Sequence, residues 1–361
     1  MDQTRTNEIW ILGATGRVGR ALALRLASAE IPNVVLVGRS EEGLQRLVAS
    51  LPAAAVTTKA LANFGDMLAA VQKARPRVVV NLLGSYGETA RPLAESCLPG
   101  RRYVDIANDL ASVSAMAGLH DQASRAGSTL ITGAGFGVLA TEAVVVRLCA
   151  DMPTPVRVQV DALASFASET GVVGDAFAAT SVDVITSGGR VYRNGDLVPS
   201  RLGSNARKHQ LPDGTSVSSA AVPSGELFVA HAASGAPSVE FTSSFAPTNP
   251  VVRAVLPLLS LLLRTVPALR RVMLTSMARS KTKAAPRPRP FSWGHSTVEW
   301  ADGTTREAWL RAADAMDFTA DVLLAVISAL LRDDSPHGAF TPAAAFGPEI
   351  AIAAGATILA D

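Results

Sequence analysis

Three glycines follow the first apolar segment of the chain at intervals of three residues. The apolar segment 9–12 ends at Gly13, and Gly16 and Gly19 come next. Beyond Gly16 the apolar residues recur every four positions, which is the period of one helix face. The recurring residues are Val18, Leu22 and Leu26. The pattern therefore predicts a strand, a tight turn and then a helix.

A turn of this kind is suited to binding a dinucleotide. The backbone N–H groups at a helix N-terminus and the positive end of the helix dipole bind a pyrophosphate. Glycine is required where a Cβ would block the phosphate or separate the helix from the strand. The predicted cofactor contacts in this turn are Gly13, Thr15, Gly16, Arg17, Val18 and Gly19.

The end of the second predicted strand indicates which dinucleotide is bound. The strand 34–38 is followed by Arg39 and Ser40, where an NAD-preferring site usually has a carboxylate for the ribose hydroxyls. A guanidinium at this position binds the 2′-phosphate of NADP, and the Ser40 hydroxyl is a second donor. The sequence therefore predicts NADP(H), although a solvated arginine at a strand end is the structural alternative.

Composition excludes several classes of protein. The 361 residues are 48% hydrophobic and 18% charged with a formal net charge of +2, so no nucleic-acid partner is expected. Cys97 and Cys149 are the only cysteines, which excludes a disulfide framework and favours a reducing cytoplasm. The polar residues 1–5 precede a strand almost directly, so we expect no signal peptide.

Strand and helix patterns alternate through residue 150 and then give way to hairpin signals. The alternation predicts a doubly wound parallel Rossmann sheet over residues 1–152, with the run 77–84 in the middle of the sheet and Asn63 capping a helix. Residues 153–316 are predicted to form a β-rich α+β domain for substrate binding and dimerisation. Residues 317–361 are predicted to form a helix and tail that pack back on the Rossmann domain.

One apolar segment allows two interpretations. Residues 254–263 are apolar but contain Pro257 and end at Arg264, so the segment is too short to span a bilayer. It is either a core, dimer or substrate-channel helix followed by a loose Pro/Arg linker, or an interfacial anchor that contacts a membrane through residues 254–290. Integral membrane insertion is not expected.

The carboxyl ends of the predicted strands define a candidate site. Ligands of an open α/β sheet bind at that edge, which adds Leu83, Gly84 and Ser85 to the predicted cofactor contacts. Gly135 and Phe136, after the sixth strand, join them for the same reason.

An enzyme that transfers a hydride from NADPH also needs a proton donor for the atom left negative. The candidate catalytic residues for this step are Tyr86 and Asp105. The structural alternative for Tyr86 is a ring that covers the cofactor. For Asp105 it is a helix cap or an ion-pair partner.

Missing motifs narrow the chemistry further. No Tyr-x-x-x-Lys and no Gly-x-Ser-x-Gly occurs, which argues against a short-chain dehydrogenase mechanism and a nucleophile elbow. The five histidines show no paired metal-ligand spacing, so no metal site is expected. The only role considered for any of them is that His231 or His209 lines the substrate side of the site.

The most specific motifs resemble a known family. They are Val80–Gly87, Tyr103–Asp105, Gly135–Val138, Thr141–Glu142, Phe318–Ala320 and Gly338–Pro342. Together they resemble the saccharopine dehydrogenase-like reductases, with the trans-acting enoyl reductase branch most similar. The resemblance implies NADP-dependent hydride transfer to an imine or enoyl carbon. The chain departs from the family at Gly84-Ser85, where Gly-Pro is common, and at residues 106–108, where Thr-Gly often follows the aspartate.

These observations favour an NADPH-dependent oxidoreductase that reduces a C=N or activated C=C bond of a small, fairly apolar metabolite. We expect a homodimer. The alternative is a non-catalytic NADP-binding sensor or scaffold, which would keep the glycine turn and Arg39 but would need no proton donor.

Overall fold

The structure, a computed structural model, describes residues 6–52, 56–172, 175–332 and 334–360. Two compact units divide the chain. The first comprises residues 1–107, 111–135 and 316–346, and the second comprises residues 108–110, 136–315 and 347–361.

The first unit is built on a seven-stranded sheet in which every neighbouring pair of strands is parallel. Its strands are β1 (Thr6–Leu12), β2 (Val34–Gly38), β3 (Val56–Ala60), β4 (Pro76–Asn81), β5 (Arg102–Asp105), β6 (Thr129–Ile131) and β17 (Gly338–Phe340). Its helices are α1 (Arg17–Ser28), α2 (Glu41–Ser50), α3 (Phe64–Ala74), α4 (Tyr86–Ser96), α5 (Leu110–Ala117), α6 (His120–Arg125), α12 (Ala315–Leu330) and α13 (Pro342–Phe346). This is the predicted doubly wound parallel sheet.

Strand order explains the continuous apolar run at 77–84. The sheet has the order β17-β6-β5-β4-β1-β2-β3, so β4 lies at its centre and is covered on both faces. The prediction for β4 is therefore confirmed. Asn63 also caps α3 as predicted, since its side chain accepts a hydrogen bond from the Asp66 N–H at 3.0 Å.

Two features of the first unit differ from the predicted pattern. The sequence pattern of residues 110–126 predicts one helix, but the structure has two in this range, α5 and α6. The sheet also gains β17 from the C-terminal part of the chain, which pairs with β6 after the long helix α12. Arg25 of α1 forms an ion pair with Asp321 of α12 at 2.5 Å, so this helix lies within the first unit.

The second unit contains a nine-stranded, mostly antiparallel sheet. Its elements are α7 (Phe136–Cys149), β7 (Arg157–Leu163), β8 (Gly171–Val172), α8 (Asp175–Ser187), β9 (Gly189–Arg193), β10 (Asp196–Ser200), β11 (Arg207–Gln210), β12 (Ser216–Ala221), α9 (Gly225–Ser234), β13 (Ser238–Ser243), α10 (Pro250–Thr265), α11 (Pro267–Arg279), β14 (Lys281–Thr282), β15 (Ser292–Glu299), β16 (Thr305–Ala312), α14 (Glu349–Ala353) and β18 (Thr357–Ala360). The main path runs β10-β9-β13-β7-β15-β16-β18, and the small pair β14-β8 is separate.

The boundaries of the units fall at different places from the predicted ranges 1–152, 153–316 and 317–361. Helix α7 was assigned to the first range, but it packs against β15 and α9 and belongs to the second unit. Residues 347–361 also belong to the second unit, because β18 pairs with β16 at the end of the sheet. Chain order cannot reveal such exchanges, since they depend on which apolar faces meet.

The segment 254–263 is not a core helix. It lies within α10, where only Leu256, Ser260 and Leu263 are buried. The basic residues that follow begin on a second helix, α11, which has no buried residue, and continue through residues 283–291, which belong to no helix or strand. The core-helix part of the first interpretation is therefore wrong, whereas residues 283–291 agree with the predicted Pro/Arg linker.

Gly294 shows how closely α7 approaches the second sheet. A Cβ at Gly294 of β15 would lie 2.7 Å from the backbone carbon of Ala140 and 2.8 Å from its Cβ. Both neighbours belong to α7, and neither can move without shifting the helix. The absence of a side chain at residue 294 therefore sets the distance between helix and strand.

We expect Gly294→Ala to lower the free energy of unfolding by about 2 kcal/mol or more, because the added methyl group overpacks a rigid contact. Chemical denaturation monitored by circular dichroism measures the change. Gly87→Ala is the matched control, since a Cβ at that helical position meets nothing within 4 Å. Equal stability of the two variants would contradict the packing argument.

Candidate functional site

The turn between β1 and α1 has the geometry of a phosphate cradle. Gly13 has a φ of +86°, and a Cβ there would lie 2.7 Å from the Leu82 carbonyl oxygen. A Cβ at Gly19 would lie 2.7 Å from the carbonyl oxygen of Ala14, so the first turn of α1 packs directly on the loop. These two positions accept only glycine without a backbone shift. The predicted roles of the two glycines in the turn therefore have a steric basis.

Helix α1 begins at Arg17 with its positive end unneutralised by acidic side chains. The N-cap residue is Gly16, which contributes no side-chain hydrogen bond, and the first turn contains no Asp or Glu. Thr15 lies in the loop, and its carbonyl oxygen accepts a hydrogen bond from Arg20 at 2.9 Å. An open helix N-terminus behind a glycine turn is the arrangement that binds a pyrophosphate. Val18 occupies the same first turn.

Arg39 and Ser40 follow β2 at the same edge of the sheet, but they differ in their local contacts. Arg39 is exposed, and within the described residues its guanidinium forms no hydrogen bond or ion pair. The Ser40 hydroxyl caps α2 by accepting a hydrogen bond from the Gly43 N–H at 3.1 Å. Arg39 is thus available to an incoming phosphate, whereas the Ser40 oxygen already has a structural role.

A buried hydrogen-bond network joins the ends of β4 and β5. The Asn81 amide nitrogen donates to the Tyr103 hydroxyl at 3.0 Å and to Thr89 Oγ1 at 3.2 Å. The Tyr103 hydroxyl donates in turn to Asp105 Oδ2 at 2.8 Å. Asn81 Oδ1 accepts from the Leu83 N–H at 3.2 Å, so the network also holds the loop after β4.

Asp105 extends this network to β6. Its Oδ1 accepts hydrogen bonds from the N–H groups of Ala107 and Gly133 at 3.0 and 3.2 Å, and from Thr132 Oγ1 at 2.8 Å. The side chain is fully buried. Burial raises the pKa of Asp105 above its ordinary value, although the hydrogen bonds from Ala107, Tyr103 and Thr132 oppose the shift. The carboxyl is therefore enclosed by the protein, and it links three strand ends.

Tyr86 is placed differently from Asp105. It is the first residue of α4, and its ring is half-buried at the margin of the core under the first sheet. Gly84 and Ser85 precede it with φ values of +72° and +44°. A left-handed serine is strained, and such strain is found where a loop is held for a functional reason. The loop thus places Tyr86 after β4, at the carboxyl edge of the sheet.

The loop after β6 completes the set of strand ends in the first unit. Gly133 has a φ of +74°, and its carbonyl oxygen accepts a hydrogen bond from the Gly135 N–H at 2.8 Å. A Cβ at Gly135 would lie 3.4 Å from Thr319 Cγ2 of α12. Phe136, the next residue, is the first of α7 and is buried within the second unit.

Parallel strands place these residues at one edge. The predicted residues of the first unit follow β1, β2, β4, β5 and β6, whose carboxyl ends lie side by side in a parallel sheet. They are Gly13, Thr15, Gly16, Arg17, Val18, Gly19, Arg39, Ser40, Leu83, Gly84, Ser85, Tyr86, Asp105 and Gly135. The structure therefore brings together the elements from which the sequence prediction was built.

Sequence reasoning missed Glu226, a fully buried carboxyl in the second unit. Ser224 Oγ donates to the Asn108 carbonyl oxygen at 2.8 Å and also contacts Glu226 Oε2. A hydroxyl has one proton, so a protonated Glu226 satisfies both contacts. Burial raises the pKa of Glu226 to about 7, against the opposing hydrogen bond with Ser224. A Cβ at Gly137 would collide with Oε1 of this carboxyl.

A second missed group lies on the sheet of the second unit. Asp161 Oδ2 is 2.8 Å from His295 Nδ1, and Asp161 Oδ1 is 4.0 Å from His209 Nε2. The donor atoms of these three residues all lie within 4.8 Å of one another. Burial would raise the pKa of Asp161, but the hydrogen bond from His295 holds it below the ordinary value. Residues 161, 209 and 295 are too far apart in sequence to suggest a cluster.

Several hydrogen bonds within the protein hold the side chains of this cluster. Asp161 Oδ1 accepts from Gln159 Nε2 at 2.9 Å and from the Thr242 hydroxyl. His209 Nε2 is 2.7 Å from Ser219 Oγ. The His295 ring stacks on Trp309 with a centroid separation of 4.0 Å. Desolvation lowers the pKa of His209, in spite of the nearby Asp161 carboxylate, which favours a neutral ring.

Comparison with known proteins identifies the first unit. Residues 9–131 match the family described as the saccharopine dehydrogenase NADP binding domain. Apo saccharopine dehydrogenase (L-Glu forming) from Saccharomyces cerevisiae is similar to the whole chain, with a TM-score of 0.63 at 12% identity, covering 99% of this chain and 100% of that one. This likeness shows a common fold.

More limited similarities have low TM-scores. Serine dehydrogenase from Escherichia coli is similar with a TM-score of 0.29 at 16% identity, over 34% of this chain and 80% of that one. A short-chain dehydrogenase from Streptomyces avermitilis has a TM-score of 0.29 at 20% identity, over 35% and 65% of the two chains. At these TM-scores, the two similarities support no conclusion about the structure. No curated protein matches the sequence.

Glu226 makes the stability of the protein depend on pH. Its pKa is about 7 in the folded protein against an ordinary value of 4.5, so its favourable contribution is complete below pH 4.5 and is lost as the pH rises through 7. We expect wild type to lose about 3 kcal/mol between these limits relative to Glu226→Gln.

Urea denaturation of the two proteins at a series of pH values measures the difference. Glu42→Gln, at an 81% exposed side chain, controls for the loss of a charge. If the free energies of unfolding of wild type and Glu226→Gln change with pH in parallel, the carboxyl is ionised without cost in the folded protein and the prediction is wrong.

Proposed function

We propose, on the premise that residues 9–131 form a saccharopine dehydrogenase-like NADP-binding domain, that this protein is an NADPH-dependent reductase. The reaction is hydride transfer to a C=N or activated C=C bond of a small, fairly apolar metabolite. The observation that carries the proposal is the uncapped N-terminus of α1 behind Gly13 and Gly19, with the exposed Arg39 one strand away.

The cofactor is NADP(H), and the described residues fit it. A Cβ at Gly13 or Gly19 would meet backbone atoms 2.7 Å away, so the backbone itself forms the wall of the turn. The amides at Arg17 and Val18 would hold the pyrophosphate, and Arg39 would hold the 2′-phosphate with Ser40 beside it. Leu83, Gly84, Ser85 and Gly135 would contact the remaining part of the dinucleotide. When bound, NADPH supplies a hydride.

Tyr86 supplies the proton in this proposal. Its half-buried position at the start of α4 leaves part of the side chain accessible, as a group that contacts substrate requires. A positioned tyrosine hydroxyl donates to the atom that becomes negative after reduction. The strained Ser85, immediately before Tyr86, restricts where the ring is placed.

Asp105 acts as a positioning residue. Its carboxyl is fully buried and accepts hydrogen bonds from Tyr103 of β5 and from the loops after β5 and β6, which leaves no exposed atom for contact with substrate. Through Tyr103 and Asn81 it reaches the Leu83 N–H, and Leu83 begins the loop that carries Tyr86. We propose that Asp105 keeps that loop in place while Tyr86 moves the proton.

Arg39→Ala tests the cofactor assignment. We expect NADPH binding to weaken by about tenfold or more, corresponding to at least about 1.4 kcal/mol, because the mutant loses the charge that pairs with the 2′-phosphate. NADH binding, which involves no 2′-phosphate, should stay the same. Fluorescence titration measures both constants.

Arg46→Ala is the matched control for Arg39, since Arg46 is an exposed residue on α2 that pairs with Glu42. It should leave both constants unchanged. If wild type binds NADPH and NADH equally, or binds neither, the proposed function fails.

Tyr86→Phe separates catalysis from cofactor binding. We expect kcat for reduction of a reactive imine or enone to fall by about a hundredfold, the usual cost of removing a general acid, with NADPH affinity unchanged. Steady-state NADPH oxidation at 340 nm over a range of pH gives kcat and KM separately. Equal turnover by the variant would exclude Tyr86 as the proton donor, and absence of turnover in wild type with every imine and enone would favour a non-catalytic NADP-binding sensor.

A further inference from the structure

Two consecutive helices of the second unit expose a large apolar face. Nine large apolar side chains of α10, α11 and the residue between them are 38–71% exposed. They are Val251, Val252, Val255, Leu258, Leu261, Leu262, Val266, Leu269 and Val272, and we call them the α10–α11 surface. Exposed apolar residues are ordinary when scattered, but nine on two consecutive helices indicate an interaction site.

The opposite face of α10 is fixed to the second unit. The buried side chains of this helix are those of Leu256, Ser260 and Leu263. The exposed side chains on the other face include Val255, Leu258 and Leu262. Arg253 donates from its Nε to the Gly203 carbonyl oxygen, which ties the start of the helix to the loop before β11. The apolar residues of the surface therefore point outward because the inner face of the helix is already used.

Helix α11 is attached by its other side as well. It packs against α8, and Arg270 forms an ion pair with Asp183 of α8 at 2.8 Å. The axes of α10 and α11 differ in direction by 111°. Within the described residues no single helix has the length and apolar character to cross a membrane, and this bent pair meets that test only when taken together.

The charge of this part of the chain is strongly one-sided. Residues 241–298 contain nine Lys or Arg and no Asp or Glu. The rest of the chain has the remaining 24 Lys and Arg against all 31 Asp and Glu. Seven of the nine basic residues are exposed: Arg264, Arg270, Arg271, Arg279, Lys281, Lys283 and Arg287. A protein partner for such a region would need an acidic rim, whereas an anionic bilayer offers both negative headgroups and an apolar layer.

We propose that the α10–α11 surface docks this protein on an anionic lipid bilayer. The exposed valines and leucines enter the boundary between headgroups and acyl chains, and the arginines and lysines beside them bind the headgroup phosphates. This orientation needs no rearrangement of α10, whose buried face stays on the second unit. The proposal does not depend on the proposed reductase activity.

Vesicle flotation tests the proposal with the full chain. We expect wild type to float with vesicles of phosphatidylcholine and phosphatidylglycerol in equal parts, and to float less with phosphatidylcholine alone or at high salt. The triple variant Val255→Ser/Leu258→Gln/Leu262→Gln should bind at least about tenfold more weakly. Arg264→Gln/Arg271→Gln should lose affinity only for the anionic vesicles.

Matched controls alter equally exposed residues elsewhere. Leu24→Gln/Ile352→Gln replaces apolar side chains that are 45% and 51% exposed, and Arg46→Gln/Arg125→Gln replaces exposed arginines outside the region. Both should float as wild type does. NADPH titration and thermal unfolding of the triple variant verify that its fold is intact, and a failure of wild type to bind NADPH would bear on the proposed function alone.

Three results would overturn the proposal. The first is that wild type floats with neither vesicle, and the second is that the triple variant floats as well as wild type. The third is that light scattering shows wild type as a dimer and the triple variant as a monomer, without vesicle binding by either protein. This last result would assign the surface to a contact between two copies of the chain.

Discussion

The arrangement of the loops at the carboxyl edge of the first sheet depends on one buried carboxyl group, that of Asp105. Asp105 loses its hydration on folding, and a buried carboxyl without partners would cost several kcal/mol. The hydrogen bonds that it accepts from Tyr103, Ala107, Thr132 and Gly133 recover that loss. Two of these donors belong to β5 and the loop after it, and two to the loop after β6. Since the network is satisfied only when the loops are in place, the carboxyl couples the geometry of β4, β5 and β6.

The glycine turn supplies the second constraint on this edge. Gly13 and Gly19 allow α1 to start directly against the loop, and the N-cap Gly16 leaves the helix end without a competing side chain. The network of Asp105 and the turn are built from different residues but open on the same edge. In the proposed function, the turn recognises the phosphates of the dinucleotide and the network fixes the placement of Tyr86.

Local patterns predicted much of this arrangement. The run that forms β4 was recognisable as a central strand because both of its faces are buried, and Asn63 was recognisable as a cap because its side chain satisfies a local N–H. The Asp105 network was less accessible: the sequence singled out the residue but left its role open. Its partners Thr132 and Gly133 are brought to it by the pairing of β5 with β6, which sequence spacing does not encode. Glu226 and the Asp161 cluster were missed for the same reason.

The amino-acid sequence by itself determined the alternation of strands and helices that underlies the doubly wound sheet, the phosphate turn and the position of Arg39, because each of these patterns is local in the chain. Only the tertiary structure decided that α7 and the last strand belong to the second unit, and that 254–263 presents its apolar residues outward. A helix with apolar residues on most of its circumference is compatible with burial or exposure when considered alone. The buried places along α10 are occupied by Leu256, Ser260 and Leu263. The remaining valines and leucines are therefore exposed, and the physical reason is that the second unit has room for only one face of the helix.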